Sequence, residues 1–211
     1  MGNQGMFRLI KASRQTAPNR LQLARIQGMG VGTMKIKAVF TLILSAMFFA
    51  FSPFAKADPL KVGDKAPAVV GITETGAALN LGDVYKQQTY TLVYFFPKAD
   101  TPGCTAQGCS LRDAYEQLTQ KGVAVIGVSH DDAAAQSAFK EKYHFPFTLI
   151  ADPDHVVSKA FGVPNFSIMG LSLDKRQAYL IKDGTIIWAD YHAKTAQQAA
   201  DVLDVLAAEK S

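Results

Sequence analysis

Cysteine is scarce in this chain of 211 residues, which has only Cys104 and Cys109. Two cysteines are too few for a disulfide-rich scaffold or for a zinc site built of cysteines alone. The chain has four histidines, and none lies at ligand spacing from a cysteine, which disfavours a mixed zinc site. The C-x-x-C spacing of thioredoxin-type disulfide exchangers is also absent. What remains for the pair is a structural disulfide or thiol redox chemistry of another kind.

Acidic residues are absent from positions 1–57, which carry eight Lys or Arg. The whole chain has 22 basic and 18 acidic residues and a net charge of +4. Taking eight from 22 leaves 14 basic and 18 acidic residues in 58–211, a net charge of −4. A basic balance favours nucleic acid or a membrane surface as partner, but here it belongs to a segment that we expect to be removed. We therefore expect no nucleic-acid partner and, after that removal, no membrane partner.

Residues 34–57 have the outline of a secretory signal peptide. A short basic start at Met34 precedes the uncharged apolar run 38–51, and a small-x-small sequence ends at Ala57. The run is shorter than the roughly 18–20 residues that span a bilayer, which argues against an uncleaved anchor. We interpret residues 1–33 as an over-extended N-terminus, and the alternative is an organellar transit peptide. We expect a periplasmic or secreted protein, or on the alternative one in an organelle lumen.

The rest of the chain, residues 58–211, has the pattern of one α/β domain. Short strands are expected before Thr73, and a turn or short helix at 80–83. Apolar runs predict buried strands at 89–96, 123–128 and 147–151, and strands 177–181 and 185–191 flank a Lys-Asp-Gly hairpin turn. Helices are predicted from Cys104 to Lys121, from a cap at Asp131 or Asp132 to Tyr143, from His155 to Phe161, and from a cap at Thr195 to Ala208. The order β-α-β-α-β-α-β-β-α predicts a thioredoxin-like fold, a central mixed sheet flanked by helices.

Cys104 lies where the first core strand gives way to a Pro/Gly turn and then to a helix. The unpaired N–H groups and the dipole at the start of a helix favour negative charge. This position predicts a lowered pKa for Cys104 and a thiolate nucleophile.

Cys109 follows Cys104 by five residues. On a helix this spacing puts the two Cα atoms roughly 8–9 Å apart, whereas a disulfide needs about 7 Å or less. A static structural bridge would therefore oppose the helix, although it stays an alternative. A catalytic pair fits better: the Cys104 thiolate attacks, becomes a sulfenic acid, and condenses with Cys109 once the helix end unwinds.

Cys104 also belongs to a longer motif. Pro97, Thr101 and Cys104 match the P-x-x-x-T/S-x-x-C signature of peroxiredoxins. The stretch 94–105, with Cys109 five residues beyond Cys104, resembles the peroxiredoxin Q or bacterioferritin-comigratory-protein subfamily, whose members are atypical two-cysteine peroxiredoxins. The resemblance covers essentially all of 58–211.

The resemblance implies a thiol-dependent peroxidase that reduces hydrogen peroxide and organic hydroperoxides in antioxidant defence. It implies no metal or organic cofactor, and recycling by a thioredoxin-like dithiol reductant. Cys104 would be the peroxidatic cysteine and Cys109 the resolving cysteine, joined in an intramolecular disulfide after turnover. Thr101 would hydrogen-bond the peroxide oxygen and Cys104, and Pro97 would shield the thiolate from water.

The family also has an arginine just before the hairpin. Here Arg176 fits that place, and Lys175 is the alternative if the register differs. Peroxide cleavage develops negative charge on the leaving oxygen, which preorganised donors stabilise. The N–H groups of Gly103 and Cys104, the Thr101 hydroxyl and a guanidinium are the expected donors.

One region of the chain departs from the family pattern. The segment 164–174 is short and unlike the usual loop, so reductant docking and substrate preference are not indicated by the sequence.

Other interpretations of the residues stay open. His130, after a strand end, is the histidine best placed for a Cys–His dyad, although surface or loop positions explain all four histidines. A redox sensor that passes its disulfide to another protein uses the same residues. The subfamily implies a monomer or weak dimer.

Overall fold

The computed structural model describes residues 58–168 and 170–209. Its strands are β1 Val70–Thr73, β2 Ala78–Asn80, β3 Tyr90–Phe95, β4 Val123–Ser129, β5 Thr148–Ala151, β6 Asn165–Ile168, β7 Leu171–Asp174, β8 Gln177–Lys182 and β9 Thr185–Asp190. Its α-helices are α1 Leu81–Gln87, α2 Pro102–Asp113, α3 Tyr115–Gln120, α4 Ala133–Tyr143, α5 Val156–Ala160 and α6 Gln198–Ala208, and the 3₁₀ turn Thr195–Gln197 precedes the last.

Seven strands form one mixed sheet in the order β2-β1-β5-β4-β3-β8-β9. Strands β3, β4 and β5 are parallel, while β8 and β9 continue the sheet antiparallel on the other side of β3. Because parallel strands end at the same edge, the loops after β3 and β4 meet there. The predicted central mixed sheet flanked by helices is confirmed.

The central strand β3 explains the apolar run that precedes the cysteines. All six of its residues are buried, since β4 and β8 pair with its two edges and helices cover its two faces. Leu92 and Tyr94 point to the core shared with α2, α3, α4 and α6. Val93 and Phe95 point to the opposite core, shared with α1 and α5. The sheet therefore fixes the position of the loop that follows β3.

Most predicted elements are present, and two of the helix predictions differ in detail. The helix predicted from Cys104 to Lys121 begins at Pro102 and breaks at Ala114, where φ is −100° and ψ is 8°, into α2 and α3. Of the two candidate caps of α4, Asp132 is the cap and accepts from Ala135 N at 2.8 Å. The cap predicted at Thr195 is wrong, because Thr195 begins the 3₁₀ turn and no side chain caps it.

The segment 164–174, for which the sequence predicts no element, forms the antiparallel hairpin β6–β7 as a separate two-stranded sheet. Two further predictions, the signal peptide at 34–57 and the over-extended N-terminus at 1–33, lie outside the described residues. Among the described residues, no helix has the length and apolar character needed to cross a membrane.

Candidate active site

Cys104 lies in the first turn of α2, the helix that follows the central strand β3 after a short loop. Thr101 is the N-cap residue and Pro102 opens the helix, a position that suits proline because its missing N–H has no acceptor there. The first helical hydrogen bond runs from Thr105 N to Thr101 O at 2.8 Å. The N–H groups of Gly103 and Cys104 therefore lie in the unpaired, electropositive turn beside the Cys104 thiol. Cys104 is 2% exposed.

The guanidinium of Arg176 reaches this thiol from the residue just before β8. Its Nη2 lies 3.4 Å from Cys104 Sγ. Gly103 leaves room for it, because a Cβ at this position would lie 3.3 Å from the same nitrogen. Lys175, the alternative by register, is exposed, and its backbone N–H donates to Pro164 O at 2.8 Å. The structure therefore brings Arg176, and not Lys175, to the cysteine.

Two buried amides hold the guanidinium in place. Arg176 Nη1 donates to Gln107 Oε1, and Gln107 Nε2 donates to Gln198 Oε1 at 2.8 Å. Both glutamines have no exposed surface. The sequence pattern did not single out either residue, because 91 positions separate them and their contact arises only when α6 packs on α2.

The loop between β3 and α2 is fixed at two points, which keeps Cys104 in place. Ala99 N donates to the buried carboxylate of Asp131 at 2.7 Å, and Ser129 Oγ donates to the same oxygen at 2.7 Å. Asp100, at a φ of +57°, accepts from Lys142 and from the Tyr143 hydroxyl at 2.7 Å. These donors, Lys142 first, lower the pKa of the exposed Asp100 carboxyl below its usual value.

Thr101 and Pro97 lie in the same loop. The Thr101 hydroxyl donates to Lys98 O at 3.0 Å, so its proton is directed away from Cys104 in this structure while its oxygen can still accept. Pro97 is half-buried and follows Phe96, whose N–H donates to Val128 O at 3.0 Å. The roles expected of Thr101 at the peroxide and of Pro97 as a water shield stay predictions.

Cys109 is half-buried on the same unbroken helix, and both thiols are free. Tyr94 belongs to the same core cluster as both cysteines. Burial raises the pKa of its hydroxyl, and negative charge on Cys104 and then on Cys109 raises that pKa further, while Arg176 lowers it. Tyr94 Oη is buried, and no described residue forms a hydrogen bond with it. The two cysteines therefore share one apolar environment, but the helix between them is intact.

The histidine singled out by sequence is engaged elsewhere. The ring of His130 stacks on that of His155, with centroids 6.3 Å apart, and no hydrogen bond joins His130 to Cys104 among the described residues. His155 Nδ1 lies 3.0 Å from Asp174 Oδ1. Burial raises the pKa of Asp174, whereas His155 lowers it. This pair fixes the end of β7 two residues before Arg176.

Arg176 also lines an open groove of about 390 Å³. Its other walls are Phe166, Lys175, Tyr191, His192 and Ala193. The groove connects the guanidinium with solvent between the β6–β7 hairpin and the segment after β9. No group of three or more His, Cys, Asp or Glu side chains within the described part of the chain is arranged to hold a metal ion.

A buried cysteine in the first turn of a helix, faced by a guanidinium at the end of a mixed sheet, defines a thiol redox enzyme with a thioredoxin-like fold. The family model described as AhpC/TSA family matches residues 62–189. Peroxiredoxin Bcp of Escherichia coli strain K12 is 45% identical over 133 residues, which are 61% of this chain and 84% of that protein. The chloroplastic peroxiredoxin Q of Oryza sativa subsp. japonica is 41% identical over 125 residues, 59% of this chain and 56% of that protein.

Solved structures give the same assignment. Peroxidoxin BcpB from Mycobacterium tuberculosis matches with a TM-score of 0.67 and 26% identity, covering 72% of this chain and 99% of that one. The bacterioferritin comigratory protein of Xanthomonas campestris, described for its alkyl peroxide reduction activity, matches with a TM-score of 0.63 and 25% identity, covering 72% and 100%. The chain belongs to the AhpC/TSA family, and within it to the peroxiredoxins of the Bcp or Q type.

Proposed function

We propose that this peroxiredoxin reduces hydrogen peroxide and organic hydroperoxides through Cys104 and stores the oxidising equivalent as a Cys104–Cys109 disulfide. The observation that carries the proposal is the buried Cys104 sulfur in the first turn of α2 with Arg176 Nη2 at 3.4 Å. Positive charge and unpaired N–H groups on one side of a thiol favour the thiolate, which is the nucleophile.

In the first step the thiolate sulfur attacks the nearer peroxide oxygen, and the O–O bond breaks. The sulfur loses two electrons and becomes the sulfenic acid of Cys104, while the leaving oxygen takes a proton and departs as water or an alcohol. Negative charge grows on that leaving oxygen. Arg176 Nη2 lies beside the sulfur and Gly103 and Cys104 lie in the first helical turn, so we expect these donors to stabilise the transition state without reorganisation.

In the second step the Cys109 sulfur attacks the Cys104 sulfenic sulfur, the S–S bond forms, and the hydroxyl leaves as water. The helix geometry keeps the two Cα atoms roughly 8–9 Å apart, beyond the reach of a disulfide. The first turns of α2 must therefore unwind locally before the bond can form. A dithiol on a thioredoxin-like partner then reduces the disulfide by exchange and is itself oxidised to a disulfide.

The groove beside Arg176 supports organic hydroperoxides as substrates in addition to hydrogen peroxide. Its apolar walls include Phe166 and Tyr191, and its volume of about 390 Å³ exceeds what hydrogen peroxide needs. The Xanthomonas campestris relative is described for alkyl peroxide reduction, which agrees with a substrate that carries a carbon chain.

The test is the intact mass of the reduced protein after one equivalent of hydrogen peroxide. The proposal expects a loss of two hydrogens in the wild type and no change in Cys104→Ser. It expects one added oxygen, trapped as a sulfenic acid, in Cys109→Ser. A wild-type mass that stays at the reduced value, or a Cys104→Ser variant that still consumes peroxide, would refute it.

We also propose that the enzyme is exported, with residues 34–57 removed and 58–211 as the mature domain, and that it acts as a monomer or weak dimer. The basic start at Met34, the apolar run and the small residues before Asp58 support export. The N-terminal sequence of protein isolated from the native host tests this. A mature chain that begins at Asp58 agrees with export, and a chain that keeps residues 34–57 contradicts it.

Sedimentation velocity tests the proposed assembly state, a monomer or weak dimer.

A further inference from the structure

Gln107 stands at the midpoint of the segment that must unwind. It lies on α2 three residues after Cys104 and two before Cys109, and it has no exposed surface. Its amide has one hydrogen bond on each side: Oε1 accepts from Arg176 Nη1, and Nε2 donates to Gln198 Oε1 at 2.8 Å. A continuous chain thus runs from the Cys104 sulfur through Arg176 and Gln107 to Gln198.

Buried amides are costly unless they are hydrogen-bonded, so this pair is a specific link and not general packing. Within residues 58–168 and 170–209, Gln198 Nε2 has no hydrogen-bond partner, and the bond from Gln107 is the one hydrogen bond of that side chain. Gln198 is the first residue of α6. The next residue adds a weaker tie between the same helices, because Ala199 N donates to Ser110 Oγ at 3.2 Å.

Helix α2 cannot unwind while this chain of hydrogen bonds stays intact. Cys109 reaches Cys104 only when the backbone between them leaves its helical path, and Gln107 lies in that stretch. Its side chain must then release both Arg176 and Gln198. The helical form therefore has Arg176 held at the sulfur, which suits peroxide reduction, and the unwound form has it released, which suits disulfide formation.

We propose that Gln107 and Gln198 are positioning residues that set the balance between these two forms and hence the lifetime of the Cys104 sulfenic acid. The inference rests on the proposed two-cysteine peroxidase. In this role Gln198, which has no hydrogen bond to either sulfur or to Arg176 among the described residues, controls the resolution step from the adjacent helix through Gln107. Gln198 Oε1 accepts from Gln107 Nε2, and this hydrogen bond stabilises the helical form of α2 relative to the unwound form.

Stopped-flow mixing of the reduced protein with peroxide separates the two steps. The first step depends on peroxide concentration and the second, disulfide formation, does not. In Gln198→Leu the Gln107 Nε2 is buried without an acceptor, and unwinding exposes it to water. We expect disulfide formation to become about tenfold faster, the factor equivalent to about 1.4 kcal/mol. Over-oxidation at high peroxide should fall, while the peroxide-dependent step changes little.

Two variants make the result specific. Leu206→Ala is the matched control, because Leu206 is fully buried on the same helix two turns beyond the amide chain. It should lower stability without accelerating disulfide formation. Gln107→Glu acts in the opposite direction, since a carboxylate holds Arg176 by a stronger, charge-assisted bond and can accept from Gln198 Nε2 once the Gln198 amide, which now presents Oε1, turns over. It should slow disulfide formation and increase over-oxidation.

Each outcome decides one point. A wild type without a fast peroxide-dependent phase refutes the proposed function itself. A fast first phase with an unchanged second step in Gln198→Leu, or an equal acceleration in Leu206→Ala, overturns only the role of the amide chain. Should Gln198→Leu fail to fold, Gln107→Glu decides: slower disulfide formation supports the inference, and an equal or faster rate overturns it.

Discussion

Arg176 offers the most informative single substitution. Its Nη2 lies 3.4 Å from the Cys104 sulfur, and at that distance two unit charges interact by about 5 kcal/mol in an effective dielectric of about 20. Arg176 is only partly buried, so water screens part of this interaction. Loss of one preorganised donor to a developing anion costs about 2.7–4 kcal/mol in enzymes, or ~10²–10³ in rate. We expect Arg176→Met to slow the second-order reaction with hydrogen peroxide by that factor.

The assay is stopped-flow reaction at several peroxide concentrations, with each variant checked for folding by circular dichroism. Lys159→Met is the matched control, since it removes an exposed positive charge that does not line the groove beside Arg176, and it should leave the rate within about twofold. Arg176→Lys should recover only part of the loss, because an ammonium group cannot contact Gln107 and Cys104 with two fixed nitrogens. A rate for Arg176→Met within about fivefold of wild type would refute this reasoning.

Three further predictions concern the elements that hold the site. Asp131→Ala leaves the Ala99 N–H without its carboxylate acceptor, so it should cost about 1–3 kcal/mol in urea unfolding and slow the peroxide step. Gly108→Ala places a Cβ 2.5 Å from the Phe145 ring, and the overpacking should cost about 1–3 kcal/mol in the same assay; an unchanged midpoint would contradict the close packing of α2. The pKa of Asp100 is lowered from its ordinary value of 3.8 by the hydrogen bonds from Lys142 and Tyr143. The stabilisation that these bonds give to the cysteine loop is therefore complete above pH 3.8 and is lost as the pH falls through the lowered pKa. The peroxide rate should therefore drop in acid in the wild type, and Asp100→Asn should lack that part of the drop.

The sequence was sufficient for the features that depend on local pattern. The buried run of β3, the Pro/Gly turn and the helical spacing after it place Cys104 at the start of a helix. The Lys-Asp-Gly turn predicts the hairpin β8–β9, and that hairpin places Arg176 at a strand start. These signals are readable because neighbours in the chain produce them.

The parts that were missed depend on contacts between distant residues. Asp131 and Asp132 are both predicted as candidate helix caps, because an acidic residue before a helix ordinarily caps it. Asp132 has that role, but the hydrogen bond by which Asp131 holds the cysteine loop was not predicted. Gln107 and Gln198 have no motif, since an amide becomes part of a site only through the partner that packing brings to it. The hairpin β6–β7 was missed although both of its strands alternate polar and apolar residues, because each strand is only four residues long and a loop is expected in this segment.

The proposed peroxidase activity depends above all on Cys104 being activated by its position in the fold. The most direct measurement is the second-order rate constant of the reduced protein with hydrogen peroxide, compared in one stopped-flow experiment with the unfolded protein and with Cys104→Ser. We expect a rate several orders of magnitude above that of the unfolded chain, whose thiols have no guanidinium or helix start beside them. This rate should be lost in Cys104→Ser. A folded protein that reacts no faster than its unfolded chain would show that the fold does not activate Cys104.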